Sequence, residues 1–350
     1  MFSKSNPSLQ ELHTRIEELS SRIRDLESAL ASLQATREKL NLPNPGTIEH
    51  MTREVKSTHL TQLIFDGARA DLTKALSINP IFQVTHALSA GQSEAPPSYN
   101  FGAVYGSSRS FFQGGVDGSG AVTMRANRRL YPGHIAKVQA QLSAASEGRS
   151  FVQLEHDYQG TDHSINLKAL NPNPADGRGI YMVNFLQSLT PNVALGLETM
   201  YMSQGDVEDS NTGYMGKWSS TARDTIATLQ YQPSAGATQF TYWQKLAERV
   251  EAAVDLQALT AGDRRGAQAT IGAKWDFRAS TLRAQVDSTG KVSSLWENRL
   301  APTFSFTVGG EIDHFKGGAA KFGVGVNIES AGDLPLDPNA PPPAPPSVPM

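Results

Sequence analysis

His156 and His163 are the nearest pair among eight scattered histidines, and Asp157 and Asp162 lie beside them. These are metal-ligand residue types at short spacing, but the stretch is polar throughout, so a solvated loop or strand end is expected rather than a metal site. Glu311 and Asp313 are two apart and would share one face of a strand. Paired carboxylates can divide general acid and general base work. No base, nucleophile or hydrophobic pocket accompanies them, so they are expected to line water. The sequence has no Gly-x-Gly-x-x-Gly following a strand, no Walker loop, no His-Glu-x-x-His and no Gly-x-Ser-x-Gly. With no cysteine, thiol nucleophiles, iron–sulfur clusters, Cys-ligated zinc and disulfide scaffolds are excluded. No enzyme and no cofactor are expected.

A net charge of -3 argues against a nucleic-acid partner held on a basic surface. Mean hydropathy is -0.35, and no stretch approaches the ~18 consecutive apolar residues of a membrane helix. Met1–Leu12 lacks the apolar core of a signal peptide, so none is expected. These features fit a soluble β-rich protein. They fit a transmembrane β-barrel equally, because its strands alternate and form no apolar run.

Residues 1–42 differ from the rest. Leu9, Leu12, Ile16, Leu19, Ile23, Leu26, Leu30 and Leu33 recur at alternating spacings of three and four, an a/d heptad seam. No Gly or Pro falls between Ser8 and Leu42, so a helix of about 48 Å is predicted, suited to a coiled coil or to docking elsewhere. Pro43 and Pro45-Gly46 end it. A second short helix is expected in residues 43–64, with Thr47 as its cap and Ile48, Met51, Val55 and Leu60 near one face.

From Phe65 the period becomes two. In Lys321–Glu329, Phe322, Val324, Val326 and Ile328 face one side, and Lys321, Gly323, Gly325, Asn327 and Glu329 the other. Ala136–Leu142, Ser164–Ala169, Val250–Ala258 and Thr281–Asp287 alternate likewise, with Lys137, Lys168 and Arg283 on the polar side. Turn signals separate such runs at Pro132-Gly133, Asn171-Pro172, Gly205-Asp206, Ala261-Gly262-Asp263, Ser288-Thr289-Gly290 and Gly317-Gly318. Segments of about ten residues suit tilted strands crossing a bilayer. A β-sandwich would also alternate, but here the apolar face is thin and Gly is frequent on the polar face, which favours an all-β transmembrane barrel. Residues 65–331, at some 14 per strand and turn, allow about nineteen strands and an open lumen. Trp243 and Tyr242 suit an interfacial aromatic girdle. Residues 332–350 are Pro-rich and expected to be an extended, disordered tail.

Several segments together resemble one family. They include Asn44-Pro-Gly-Thr-Ile-Glu49, Arg53-Glu-Val55, Phe65-Asp-Gly-Ala-Arg-Ala-Asp-Leu72, Asn79-Pro-Ile-Phe-Gln83 and Leu170-Asn-Pro172. Further on come Phe185-Leu-Gln-Ser188, Gly196-Leu-Glu198, Ile271-Gly-Ala-Lys274, Asp287-Ser-Thr-Gly-Lys-Val292 and Gly310-Glu-Ile-Asp-His-Phe315. In this order they resemble the channel subunit of the translocase of the outer mitochondrial membrane, a relative of the mitochondrial porins. The heptad region is not covered.

The resemblance implies a barrel of nineteen strands, mostly antiparallel with a parallel first–last pair, and an inner helix in the lumen at residues 46–60. It implies an integral protein of the outer mitochondrial membrane that conducts unfolded precursor proteins. The implied partners are precursors bearing presequences, a receptor subunit with one membrane helix, small single-helix subunits, phospholipid and a second pore in a homodimer. Asp71, Asp117, Glu297 and Glu329 match acidic positions of the inner wall. Lys321, Gly323, Val326 and Ile328 fit a C-terminal assembly signal. Arg278 matches a basic residue at the dimer and lipid interface, and Lys245 is a weaker candidate there. Two other functions are compatible with the residues alone: a metabolite porin of the same fold, which needs a predominantly basic lumen, and a soluble coiled-coil scaffold with a β domain.

Overall fold

A computed structural model describes residues 40–331 apart from 94–95, 144–149, 206 and 262–263, together with 22, 28, 32 and 37. Arg22, Ser28, Ser32, Arg37 and Leu40 are helical. The heptad leucines and isoleucines, and the Pro-rich residues 332–350, lie outside the described residues.

Nineteen strands form one closed sheet. They are β1 (Gly67–Ile78), β2 (Ile81–Ala90), β3 (Ser98–Gly106), β4 (Ser110–Asp117), β5 (Val122–Tyr131), β6 (His134–Leu142) and β7 (Phe151–Gln159). Next come β8 (His163–Leu170), β9 (Gly179–Ser188), β10 (Val193–Ser203), β11 (Glu208–Ser219), β12 (Thr225–Gln232) and β13 (Ala237–Ala247). The circuit ends with β14 (Val250–Ala261), β15 (Arg264–Asp276), β16 (Ser280–Asp287), β17 (Lys291–Ala301), β18 (Phe304–Asp313) and β19 (Ala319–Ala331). Each strand pairs antiparallel with its sequence neighbours, and β1 closes on β19 in parallel, Gly67 opposite Gly323 through Ala75 opposite Ala331. An odd number of alternating strands makes that parallel contact unavoidable. Among the described residues no helix is long and apolar enough to cross a membrane.

The two faces follow the expected parity. Leu72, Phe240, Leu256, Ile271, Val286, Trp296, Phe322 and Ile328 are all exposed on the outer wall. In water such a belt would be an aggregation surface; in a bilayer it is the lipid contact. The inner wall is the reverse, with Lys137, Glu155, Asp157, Asn166, Asn184, Thr228, Thr241 and Gln285 buried. The barrel thus has polar residues where a soluble domain has its core.

A segment from Asn44 to Asp66 lies on that inner wall. It contains one 3-10 turn, Ile48–His50, and a short helix, α1 (Arg53–Thr58). The single capped helix expected from Thr47 is therefore two pieces, and the Thr47 side chain makes no cap hydrogen bond. Two clusters of buried apolar residues form where this segment meets the wall. Met51 packs with Leu186, Ala194 and Met215, and Val55 packs with Trp243 and Ala253. Trp243 is 7% exposed and on the inner face, so it is no part of an outer girdle. Its neighbour Tyr242 has the opposite parity, and Trp218, Tyr231 and Trp296 are among the exposed outward aromatics.

Candidate functional site in the barrel lumen

The inner segment crosses the barrel as a strap. Its first residues are held at the β7–β8 turn: Asn44 Nδ2 donates to the backbone oxygens of Gly160 (2.6 Å) and His163 (3.2 Å). Asn44 Oδ1 accepts from Gly46 N at 2.7 Å, and Ser164 Oγ donates to Gly46 O at 2.6 Å. Gly46 sits at φ +84 with nothing near a prospective Cβ, so backbone conformation, not space, demands glycine here. The last residues, Phe65 and Asp66, lead into β1 at the opposite rim. Between these ends the strap meets β6 to β9, then β10 and β11, then β12 to β14, and finally β15 to β19.

Its first anchor is ionic. Glu49 accepts from Lys137 Nζ (3.1 Å) and Lys168 Nζ (2.6 Å). Lys137 also binds Asp157 (2.6 Å) and Glu155 (3.1 Å). Asn166 donates to Glu155 at 2.6 Å and closely to Asp157, and Asn184 donates to Asn166 at 3.2 Å. Partial burial pushes the Glu49 carboxyl up, but the two lysines outweigh it and hold its pKa at about 2.

The second anchor is polar and close-packed. His59 Nε2 lies 3.2 Å from Ala253 O, and a Cβ at Gly272 would come 2.5 Å from the His59 ring. Leu60 N donates to Gln285 Oε1 at 2.6 Å, and Arg283 Nε donates to Ser57 O at 3.2 Å. At the end of the strap, Phe65 covers Gly323 and Gly325, and its backbone oxygen occupies the space a Gly323 Cβ would need.

Burial lowers the pKa of His59 below its usual 6.5, against the opposing pull of the Ala253 carbonyl and Asp255; burial lowers His50 as well. The neutral ring is therefore the docked form. Its contribution is complete above pH 6.5 and is lost as pH falls through the depressed folded value. The contribution of Glu49 persists down to about 4.5 and fades only toward about 2. Lowering pH from 7.5 to 5.5 is expected to reduce amide-exchange protection in residues 53–61, once rates are corrected for the intrinsic pH dependence of exchange. His59→Gln should flatten that dependence, and an unchanged pH profile in this variant would assign it elsewhere.

The four expected lumen carboxylates all carry inner parity. Asp71 and Glu297 line one cavity of about 240 Å3 with Leu63, Phe65, Thr307 and Asn327. Both have an arginine: Arg69 Nε is 2.8 Å from Asp71 and Arg283 Nη1 is 2.7 Å from Glu297. Glu329 is exposed and accepts from Asn327 Nδ2 at 3.2 Å. Asp117 ties its own turn, accepting from Ser119 N (2.9 Å), Ser119 Oγ (2.6 Å) and Ala121 N (2.9 Å).

Lys321 and Gly323 face inward and Val326 and Ile328 outward, with Lys321 opposite Glu311. Glu311 and Asp313 are both on the inner wall, and Glu311 is 3.7 Å from Lys291. Arg278 lies in the β15–β16 turn and is exposed. Lys245, near the β13–β14 turn at the same rim, is opposite Glu251 and shares the inner parity of Thr241 and Trp243. His156 and His163 do not pair with each other. His156 Nε2 meets His134 Nδ1 at 3.2 Å, and His163 Nδ1 meets Asp162 at 3.0 Å. Among the described residues no group of three or more His, Asp or Glu is placed to hold a metal.

Sequence reading had Lys137 and Lys168 on the polar face but missed that Glu49, Glu155 and Asp157 converge on them. Parity was readable for each strand; the register that aligns neighbouring strands was not.

The eukaryotic porin family matches residues 44–323, which comprise the strap and nearly all of the barrel. The chain is 40% identical to the mitochondrial import receptor subunit tom40 of Neurospora crassa, over 85% of this chain and 86% of that protein. It is 39% identical to mitochondrial import receptor subunit TOM40 of Saccharomyces cerevisiae, over 86% and 82%. It is 30% identical to a probable mitochondrial import receptor subunit, TOM40-2 of Arabidopsis thaliana, over 82% and 91%. A nineteen-stranded barrel closed in parallel, matched along almost its whole length, places the chain in the eukaryotic porin family, among the mitochondrial import receptor subunits TOM40.

Proposed function

We infer that this chain is a protein-conducting channel of the outer mitochondrial membrane, integral to it, through which precursor proteins are imported as part of the translocase. The observation that carries this reading is the similarity to the TOM40 subunits over 85% of the chain. The inner wall supports it. Its charges are mixed in sign, with Asp71, Glu155, Asp157, Glu198, Asp255, Glu297 and Glu311 set among Arg69, Lys137, Lys168, Lys217, Lys274, Arg283, Lys291 and Lys321. A metabolite porin selecting anions calls for a predominantly basic lumen.

The finer assignments belong to the same proposal. Asp71, Asp117, Glu297 and Glu329 form the acidic path for presequences, which are amphipathic, Arg-rich and poor in acidic residues. An incoming guanidinium competes with Arg69 and Arg283 for carboxylates already shaped to hold one. Lys321, Gly323, Val326 and Ile328 serve as the assembly signal. Arg278 and Lys245 lie at a phospholipid-bearing interface between two pores of a homodimer. A single-helix receptor subunit and small single-helix subunits dock on the outer wall.

Reconstituted in a planar bilayer, the channel is expected to prefer cations and to be blocked by a basic presequence peptide. An anion-selective pore indifferent to that peptide would overturn the reading. Asp71→Asn, Glu297→Gln and Glu329→Gln combined should weaken peptide block several-fold and reduce cation preference while leaving assembly intact. Each alone should matter little, because salt screens a charge in a water-filled lumen within about 8–10 Å. Unchanged block in the triple variant would make these carboxylates bystanders.

A further inference from the structure

The heptad seam is a sharp sequence pattern that the import-channel reading leaves unused. Its leucines and isoleucines from Leu9 to Leu33 lie outside the described residues, but five other residues of the segment are described. Arg22, Ser28, Ser32, Arg37 and Leu40 are all helical. With Leu9 counted as position a, Arg22 is a g position, Ser28 an f and Ser32 a c, and all three are exposed. Leu40 continues the seam as a d position, and it is 57% exposed. In the single chain, a large apolar side chain on the seam is thus left open to the surroundings. From Leu9 to Leu40 the pattern spans 32 residues, more than the three to four heptads that a coiled coil calls for.

The residue types select the partner. Position a holds Leu9, Ile16, Ile23 and Leu30, and position d holds Leu12, Leu19, Leu26 and Leu33. β-Branched residues at a with leucine at d favour two parallel strands. The flanking positions agree. In a parallel pair, g of one helix faces e of the next heptad on the other, which sets Arg22 against Glu27 of a second copy, twice by symmetry. None of the other g–e contacts, such as Arg15 with Ser20 or Ala29 with Gln34, sets like charges together. An antiparallel pair would face g with g and e with e, and would lose the Arg22–Glu27 contact. Arg37 falls on the next a position, and one polar residue in such a seam fixes its register.

We propose that residues 8–42 pair with the same residues of a second copy of this chain as a parallel, in-register, two-stranded coiled coil that ties two pores together. The proposal goes beyond the import-channel reading and does not depend on it. Unlike a contact through Arg278 and Lys245, it uses no residue of the barrel.

The test uses the full-length chain purified in detergent, which has no cysteine of its own. Leu12→Cys and Leu33→Cys, each as the sole cysteine, place thiols near the two ends of the seam. A disulfide needs Cα atoms about 4.4–6.8 Å apart, and both variants meet that with their own copies only in a parallel, in-register pair. Under mild oxidation each is expected to give at least fivefold more disulfide-linked dimer than Ser28→Cys, which sits on the outer face. Dimer no greater than that from Ser28→Cys overturns the proposal. So does linkage that appears only when the two variants are mixed, the mark of an antiparallel pair.

Charge exchange checks the register. Arg22→Glu and Glu27→Arg chains, each also carrying Leu12→Cys, are mixed at low salt before oxidation. In a mixed pair both g–e contacts join opposite charges, and in a like pair both repel. Mixed disulfides are expected to exceed the chance ratio at least threefold, and a chance ratio overturns the proposal. Block by a basic amphipathic peptide should be unchanged in these variants. A wild-type pore that ignores that peptide counts against the import-channel reading alone.

Discussion

Val326→Lys combined with Ile328→Lys is expected to leave the chain synthesised but outside the membrane, extractable from mitochondria by alkali. Both side chains belong to β19 and carry outer parity, with Ile328 41% exposed toward what is lipid in the membrane. A lysine near the bilayer midplane costs about 2–4 kcal/mol, so the pair approaches the whole stability of a small domain. The position makes the cost worse. β19 pairs with β18 on one side and with β1 on the other. If it fails to seat, two strand edges are left with unbonded backbone groups in hydrocarbon, at several kcal/mol each. Gly323→Leu tests the opposite face of the same strand without adding charge. Its side chain would displace Phe65, so slower assembly with normal lipid contact is expected. Normal insertion and conductance of the double lysine variant would mean that Val326 and Ile328 do not face lipid.

Much of the barrel was legible because a strand in lipid obeys one strict rule. Every other side chain must be apolar, and no backbone group can be left for water to satisfy. Residues 321–329, 250–258 and 164–169 showed that alternation, and each lies within an observed strand. The strand number followed from length, and the parallel closure came with the resemblance. Parity also placed Glu329, Lys137 and Arg283 on the inner wall. It gave no warning about Trp243, because an aromatic residue beside a polar one reads as an interfacial anchor. What turns it inward is α1, whose Val55 provides an apolar surface inside an otherwise polar lumen.

The strap explains the other misses. Its residues make contacts more than a hundred positions away, such as Asn44 with Gly160 and Leu60 with Gln285, and no local pattern encodes those. For the acidic wall, sequence supplied the carboxylates and the inward face of Arg283, but not the pairing of Asp71 with Arg69 and of Glu297 with Arg283.

Lys137→Met should be the most damaging single change within the lumen. The lysine side chain is 7% exposed, and its partners Asp157 and Glu155 are 1% and 4% exposed. Removing the ammonium leaves two carboxylates without their shared cation, with Glu155 only 3.8 Å from Lys168 and Asp157 farther from any remaining positive charge. Breaking a buried pair in this way costs about 3–5 kcal/mol, because the surviving charge stays desolvated. Adding Glu155→Gln and Asp157→Asn removes that orphaned charge, so the triple variant is expected to recover most of the loss. Glu49→Gln separates the barrel wall from the strap. Glu49 is 32% exposed, and Lys137 keeps both wall partners without it, so about 1 kcal/mol or less is expected. The denaturant midpoint of the detergent-refolded barrel reports stability, and hydrogen exchange in residues 44–52 reports docking of the strap. Lys137→Met should shift both strongly, and Glu49→Gln chiefly the second. Equal midpoint shifts in the two variants would place the anchor on the strap itself, and the buried wall cluster would then have no special part in holding the barrel together.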